Sequence, residues 1–363
     1  MFPDKNSVTI RQIADRAGVS VGTVSHVINR TAGVRDAVQR RVLAAVDQLG
    51  YRPSLLARSL RRNETTILGM IVPDILNPFF PQVVRGVEDV AFQHGYQVIL
   101  CNTDNEAGKE RSYFEILRAY RMAGLIVIPS AYSHLKALTA GAGPRHAPLV
   151  CLDRCVSGWK ADSVTVDNLA GSYQATQWLI AAGHQRIATI TGPLQLGNAM
   201  ERLRGFRRAL RQAGIPLPMH YVQEGNFDRL SGYRQGLVLL RGPHPPTAIF
   251  AANDLVALGV LTAIRELGLR CPQDVSLIGF DDLEIASLTD PPLTTVAQPG
   301  YEMGARAAEL LLQQLKRRSG PAQQVVLQTT LKQRGSVAGP PVTGVSLTKR
   351  GTGGKRNTTN KRR

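Results

Sequence analysis

The sequence predicts an α/β protein: a small three-helix head and a hinge helix, followed by a two-lobed body of doubly wound parallel sheets. The chain has 363 residues, which is more than a single hydrophobic core usually accommodates. From residue 66 onward, short apolar runs alternate with amphipathic stretches of helix length, which is the pattern of parallel strands covered by helices on both faces. Before residue 66, the apolar residues follow a helical period.

Charge divides the chain in the same way. The formal net charge is +17, yet residues 1–66 hold 11 Lys and Arg against 5 Asp and Glu, and residues 336–363 hold 7 basic residues and no acidic ones. The long middle is therefore close to neutral. This distribution favours a head that binds a polyanion, a globular body, and a basic tail that we expect to be disordered.

Several classes are disfavoured by composition. No apolar run approaches the roughly 18 residues of a membrane span, and MFPDKNSVTIRQIADRAG lacks the layout of a signal peptide. We therefore expect a cytoplasmic protein with no membrane partner. The four cysteines are expected to be free, and Cys151 and Cys155 have no nearby His to complete a zinc site, so neither a metal nor a cofactor is predicted.

The head begins with a capping box, in which Gln12 stands three residues after Thr9. A first helix ends at Gly18, Ser20 caps a second helix, and a third runs from about Asp36 to Gly50. This is the spacing of a helix-turn-helix unit, whose second helix enters the major groove of DNA.

The outward residues of the second helix are small, which allows close approach to the groove floor. Val21 can touch a thymine methyl group and His26 can donate to a guanine or a phosphate, whereas Gly22 offers no side chain. The alternative is an ordinary three-helix domain with a solvated face.

The stretch YRPSLLARSLRRN, residues 51–63, predicts a helix too short to be stable alone. In a dimer, paired leucines can open a minor-groove step while Arg58, Arg61 and Arg62 contact phosphates. The alternative is a plain basic linker.

TIRQIADRAGVSVGTVSHVIN followed by GYRPSLLARSL resembles the head of the LacI/GalR family of bacterial repressors, and the resemblance extends to about Gly335. It implies a DNA-binding domain at 1–51, a hinge at 52–65, an effector-binding and dimerisation body at 66–335, and a tail at 336–363. One departure is Arg35, where relatives often cap the third helix with Ser or Thr; Asp36 is expected to cap instead. The resemblance implies DNA contacts from Thr9, Ser20, Val21, Gly22, Thr23, Ser25, His26, Asn29, Ser54, Ala57, Arg58 and Leu60.

In the body, polar residues recur where the predicted strands end, including Asp153 and Arg154. Ligands of such sheets bind beyond the carboxyl ends of the strands. Any one of these residues alone fits a turn or helix cap, but carboxylates, amides and arginine around aromatic faces are typical of a sugar site. The body resembles the family's effector domains and periplasmic sugar-binding proteins, which implies a ligand site of Asn77, Phe79, Phe80, Asp104, Ser130, Arg154, Asn198, Arg202, Phe227, Asn253, Asp281 and Gln298.

VRGVEDVAFQHGYQVILCNT and DDLEIASLTDPPLTTVAQP are similar to the ribose-responsive branch of the family. Purine-responsive members carry an arginine and a threonine where this chain has Leu196 and Asn198. A pentose is therefore preferred as effector, with another sugar or a purine as alternatives. The resemblance implies a homodimeric repressor of sugar genes on a pseudo-palindromic operator.

Two other classes fit less well. The chain has neither a P-loop nor a nucleophile elbow, and GPLQLG fails the dinucleotide pattern, so no enzyme is predicted and no catalytic residue is assigned. A periplasmic-type binding protein without a DNA role would explain residues 66–335 but not residues 1–65.

Overall fold

The structure is a computed structural model that describes residues 8–28, 33–51, 65–130, 148–155, 162–317 and 321–341. The chain forms two compact units, Met1–Thr65 and Thr66–Arg363. Asn29 and the hinge residues Ser54, Ala57, Arg58 and Leu60 lie outside the described residues, so their predicted DNA contacts stay predictions.

The head contains helices α1 (Ile10–Ala17), α2 (Val21–Ile28) and α3 (Asp36–Leu49). The predicted capping box is present, since the Thr9 amide donates to Gln12 Oε1 at 2.7 Å. Gly18 ends α1 with φ 62°, a left-handed conformation that glycine adopts without steric cost. The small core between the helices is aliphatic, and Ile13, Val24 and Val42 are fully buried in it.

The start of α3 corrects one prediction. Arg35 occupies the cap position without a side-chain hydrogen bond, and Asp36 is already the first helical residue. Asp36 therefore supports the helix through its negative charge in the first turn, where it faces the positive end of the helix dipole, and not as a cap.

The first lobe of the body is a parallel sheet in the order β11-β5-β4-β3-β1-β2. Strand β3 is buried along its whole length and β1 along all but its first residue, as expected for strands covered on both faces. Its elements are β1 (Ile67–Val72), α4 (Phe79–Gln93), β2 (Gln97–Asn102), α5 (Ala107–Ala119), β3 (Gly124–Val127), β4 (Leu149–Leu152), β5 (Ser163–Val166), α11 (Gly300–Arg317) and β11 (Gln324–Leu327).

The second lobe has the order β12-β10-β9-β8-β6-β7, in which only the edge strand β12 is antiparallel to its neighbour. The chain passes between the lobes after β5, after β10 and after β11, so the strand ends of both sheets share one cleft. The elements are α6 (Asn168–Ala181), β6 (Ile187–Thr191), α7 (Gly197–Gln212), β7 (Val222–Glu224), α8 (Arg229–Arg241), β8 (Ala248–Ala251), α9 (Asp254–Glu266), β9 (Ser276–Asp281), α10 (Glu284–Leu288), β10 (Thr294–Ala297) and β12 (Thr330–Lys332).

The folded chain continues beyond the boundary predicted at residue 335. Ser336 is fully buried: its hydroxyl donates to the Leu277 carbonyl at 2.6 Å and accepts from the Thr294 amide at 2.8 Å. The Ala338 carbonyl accepts from His184 Nε2 at 2.8 Å. Composition could not reveal this, because a serine that satisfies buried backbone groups resembles a tail serine in sequence. Residues 342–363 lie outside the described part of the chain.

Within the described ranges, no helix is long and apolar enough to cross a membrane. None of the four cysteines, all of which lie within the described residues, forms a disulfide.

Candidate functional site

The strand ends of both lobes enclose a small polar cavity. It holds about 230 Å³ of space between atoms, part of which is open to solvent. Ten of the twelve predicted ligand residues line it, together with Asp153, which the strand-end pattern singles out. The lining residues are Asn77, Phe79, Phe80, Asp153, Arg154, Asn198, Arg202, Phe227, Asn253, Asp281 and Gln298.

Arg202, on α7, is only 3% exposed, and several groups contact its guanidinium. Its Nε donates to Asn168 Oδ1 at 2.8 Å, and its Nη1 donates to the Ala252 carbonyl at 2.6 Å. The guanidinium lies 3.7 Å from the centroid of the Phe280 ring. Burial lowers the pKa of Arg202, and the Asp281 carboxylate, 3.8 Å from Nη1, opposes that shift.

Arg154, just after β4, is the second buried cation. Its guanidinium carbon lies 5.4 Å from the Phe80 ring centroid and 5.5 Å from that of Phe227. Its Nη1 donates to Asn105 Oδ1 at 2.7 Å, and its Nε is 3.8 Å from Asp153 Oδ2. Burial lowers the pKa of Arg154, and the charge of Asp153 opposes this effect.

Asp281, the last residue of β9, is 5% exposed and accepts a 2.6 Å hydrogen bond from Gln298 Nε2. Burial raises the pKa of Asp281 to about 7, although Arg202 and the Gln298 hydrogen bond favour the charged form.

The backbone is strained around these side chains. Asp153, Phe227 and Asp281 have φ values of 59°, 62° and 114°. Each such conformation costs about 1–3 kcal/mol in a residue other than glycine and persists only where the surroundings hold it. Residues held in such conformations cluster at ligand-binding sites, and all three of these residues line the cavity.

Four buried side-chain atoms have no hydrogen-bond partner among the described residues: Ser130 Oγ, Asp153 Oδ1, Arg154 Nε and Gln298 Oε1. All but Ser130 belong to residues that line the cavity. An unsatisfied buried polar group costs about 1–3 kcal/mol. The unpaired set combines acceptors with a donor, so it matches a ligand whose groups can both donate and accept.

The aromatic walls are set by close packing. Phe79 and Phe80 meet edge to face at the start of α4, with centroids 5.4 Å apart. A Cβ atom at Gly192 would lie 2.2 Å from the Phe227 ring, so any residue other than glycine would clash with the ring in this position. Asn253 uses both ends of its amide in the fold: Nδ2 donates to the Phe227 carbonyl at 3.0 Å, and Oδ1 accepts from the Val256 amide at 2.9 Å.

Two predicted ligand residues do not line the cavity. Asp104 is exposed, and its carboxylate accepts from Asn102 Nδ2 and from Lys109 Nζ, each at 2.6 Å. The cause is a left-handed turn, because Asp104 and Asn105 have φ values of 52° and 58°, and it is Asn105 that reaches Arg154. Ser130 is buried, and its amide donates to Glu110 Oε2 at 2.6 Å.

On the head, α2 divides as predicted except at Val21, which was expected to face outward but is half-buried and packs against the head core. Val24 and Val27 are buried in the core, whereas Gly22 and His26 are exposed and Ser25 is half-buried. Ser20 Oγ accepts from the Thr23 amide at 3.2 Å, which makes Ser20 the N-cap of the helix. The exposed face of α2 thus carries small side chains and one imidazole.

Comparisons with known proteins agree with both units. Residues 9–54 match the bacterial regulatory proteins of the lacI family, and residues 176–337 match the periplasmic binding protein-like domain. The HTH-type transcriptional repressor PurR of Vibrio vulnificus is 40% identical over 311 residues, covering 85% of this chain and 92% of that protein. The ribose operon repressor of Escherichia coli is 38% identical over 328 residues, covering 90% and 99%.

Solved structures extend the likeness to three dimensions. A lac repressor dimer bound to operator and an anti-inducer has a TM-score of 0.79 at 29% identity, covering 92% of this chain and 99% of that one. A lacI-family regulator from Enterococcus faecium with bound ribose has a TM-score of 0.68 at 32% identity, covering 75% and 98%. This chain belongs to the lacI family of bacterial regulatory proteins, repressors that bind operator DNA and small-molecule effectors and act as dimers.

Proposed function

We propose that the effector of this repressor is a pentose, with D-ribose as the first candidate. The repressor is proposed to control genes for sugar uptake and breakdown. The observation that carries the proposal is the buried, charge-balanced set of Arg154, Arg202, Asp153 and Asp281 with unpaired donors and acceptors around one cavity. From its family, we also propose that the chain acts on DNA in the cytoplasm as a regulator and not as an enzyme.

The charge balance favours an uncharged ligand. Two guanidinium groups and two carboxyl groups line the cavity, so a phosphate would approach Asp153 and Asp281 as well as the arginines. Hydroxyl groups avoid this repulsion, since each can donate to a carboxylate and accept from an arginine. A neutral sugar therefore fits the charges better than a sugar phosphate.

The lining of the cavity favours a sugar ring. The rings of Phe79, Phe80 and Phe227 offer flat apolar faces for the C–H faces of a sugar, while the polar groups meet its hydroxyls. The Enterococcus faecium relative, a structure with bound ribose, adds support.

A purine is the second candidate, because the Vibrio vulnificus relative is named PurR. The residues of this chain favour it less. Leu196 packs against Phe227 and Ala252 and offers no hydrogen bond, and Asn198 Nδ2 already points to Asp153 Oδ2 at 3.4 Å. A base would therefore lack the arginine donor at this position, and a buried acceptor left unpaired costs about 1–3 kcal/mol.

Effector binding in the cleft is proposed to change operator affinity through residues 52–65, which connect the two units in the chain. The expected sign for a sugar is release of DNA. A coupling free energy of about 1–3 kcal/mol corresponds to a change in operator affinity of about 5- to 150-fold.

The test begins with an operator selected from random DNA duplexes by the purified protein. Fluorescence anisotropy then measures its affinity without ligand, with saturating D-ribose, and with hypoxanthine or guanine. D-ribose is expected to weaken binding, and the purines to leave it unchanged. Tighter binding with a purine and no effect of D-ribose would reverse the assignment. Leu60→Ala is expected to weaken operator binding while D-ribose affinity is kept; equal operator affinity would contradict the hinge proposal.

A further inference from the structure

We infer that Asn105 is a positioning residue of the effector site: it orients the Arg154 guanidinium so that the remaining N–H groups face the ligand. This inference rests on the proposed function, because it takes Arg154 to bind the effector. The sequence pattern pointed to the neighbouring Asp104 instead.

The contact joins two strand ends that are far apart in sequence. Arg154 Nη1 donates to Asn105 Oδ1 at 2.7 Å across a separation of 49 residues. Within the described residues this is the guanidinium's single hydrogen bond, since Arg154 Nε has none and Asp153 Oδ2 is 3.8 Å away. The rings of Phe80 and Phe227 lie near the guanidinium, at 5.4 and 5.5 Å, but ring contacts do not set its rotation in its own plane.

The turn after β2 is built to present Asn105. Its amide donates to the Pro73 carbonyl at 2.7 Å, which fixes the backbone against the end of β1. On the outer side, Asp104 is held by Asn102 and Lys109. Consecutive left-handed residues then direct the Asp104 side chain to solvent and the Asn105 side chain toward Arg154. Asparagine and aspartate are the non-glycine residues that tolerate this conformation best.

The consequence for binding follows from the shape of arginine. Its donors lie in a rigid plane, so one hydrogen bond at Nη1 determines where the other N–H groups point. Without Asn105 the guanidinium can turn toward the Asp153 carboxylate, and the ligand must then pay for its reorientation. Loss of the Asn105 side chain is expected to weaken D-ribose binding by about tenfold.

The experiment is a double-mutant cycle on the full-length protein, read by calorimetric titration with D-ribose. The variants are Asn105→Ala, Arg154→Met and the double variant, and thermal melting checks that each is folded. Asn105→Asp retains the acceptor oxygen and the tolerance of a left-handed backbone. Glu106→Gln is the matched control, since Glu106 is the exposed next residue and contacts Lys109 at 3.3 Å.

Asn105→Ala is expected to cost about tenfold in affinity in the wild-type background and less than about twofold beside Arg154→Met. Asn105→Asp and the control should bind as wild type. An equal loss in both backgrounds, or no loss in the wild type, overturns the role of Asn105 while leaving the proposed function intact. If Arg154→Met binds D-ribose as tightly as wild type, Arg154 does not hold the effector and this inference is wrong, while D-ribose remains a ligand. If the wild-type protein itself does not bind D-ribose, the proposed function is wrong.

Discussion

The head and the cleft place their recognition groups in opposite environments. On the head, Gly22 and His26 are exposed over a core of ordinary aliphatic side chains. In the cleft, Arg154 and Arg202 are 4% and 3% exposed, and the acids beside them are also buried. The recognition groups of the head are therefore exposed to solvent, whereas the charged groups of the cleft are buried.

This difference in exposure determines how strongly the recognition residues of each region depend on the residues around them. An exposed side chain keeps its hydration until DNA replaces it, so a helical period is enough to position it. A buried charge needs partners, so each cleft residue is held by others and substitutions there should not be additive. Effects in the cleft are therefore expected to be larger than effects on the head.

Arg202→Met should have the largest effect. It removes the cation beside Asp281 and leaves that acid buried, and the loss of one partner of a buried charged pair typically costs a complex about 2–5 kcal/mol. D-ribose affinity measured by calorimetry should fall by at least about 30-fold. Operator affinity without sugar should be unchanged. Arg207→Met, an exposed arginine of the same helix, serves as control, and a normal sugar response of Arg202→Met would remove Arg202 from the site.

Gly192→Ala should be next, since the added Cβ must displace the Phe227 ring from 2.2 Å. Overpacking of this kind costs about 1–3 kcal/mol in unfolding free energy, and the moved ring should also weaken D-ribose binding. Urea unfolding and calorimetry measure the two effects. Gly108→Ala, where a Cβ meets no atom within 4 Å, is the matched control. Equal stability and affinity of both variants would mean that the wall of the cleft is not tightly packed.

His26→Ala tests the exposed region. A direct base contact is worth about 1–3 kcal/mol of discrimination, so anisotropy should record weaker binding to the selected operator and little change on unrelated DNA. D-ribose affinity should stay at the wild-type value. An equal loss on both DNAs would assign His26 to phosphate contact, and a change in sugar affinity would contradict the separation of the two regions.

The pH dependence should be the smallest effect. Because the pKa of Asp281 is raised to about 7, its native carboxyl binds a proton at pH values where the unfolded chain does not. Its contribution to the unfolding free energy therefore falls as pH rises from about 4 to 7 and is level above that. A sugar hydroxyl donates to the ionised form, so D-ribose affinity should decrease gradually as pH falls below 7. In Asp281→Asn, the D-ribose affinity measured by calorimetry from pH 5.5 to 8 should no longer depend on pH. A pH dependence equal to that of the wild type would mean that another group titrates in this range.

The sequence predicted the two regions unequally well. In the head, the capping box at Thr9 and the split of α2 into inner and outer faces follow from local spacing. Both are present, except that Val21, predicted on the outer face, packs against the core. In the cleft, strand ends and family positions located most of the lining, because parallel strands bring their carboxyl ends together. Asp104 was misplaced by one residue, since successive left-handed residues reverse the side-chain direction and no period records them. Ser336 was missed because burial of a single hydroxyl leaves no pattern.

The most direct test is a thermal shift of the purified protein against D-ribose, other pentoses, hexoses, hypoxanthine and guanine. A ligand at 100 times its dissociation constant adds about 2.7 kcal/mol to the unfolding free energy, which is readily detected. We predict a raised melting temperature with D-ribose and none with either purine. A shift with hypoxanthine or guanine and none with any pentose would contradict the account, because it would mean that Leu196 and Asn198 help to hold a base.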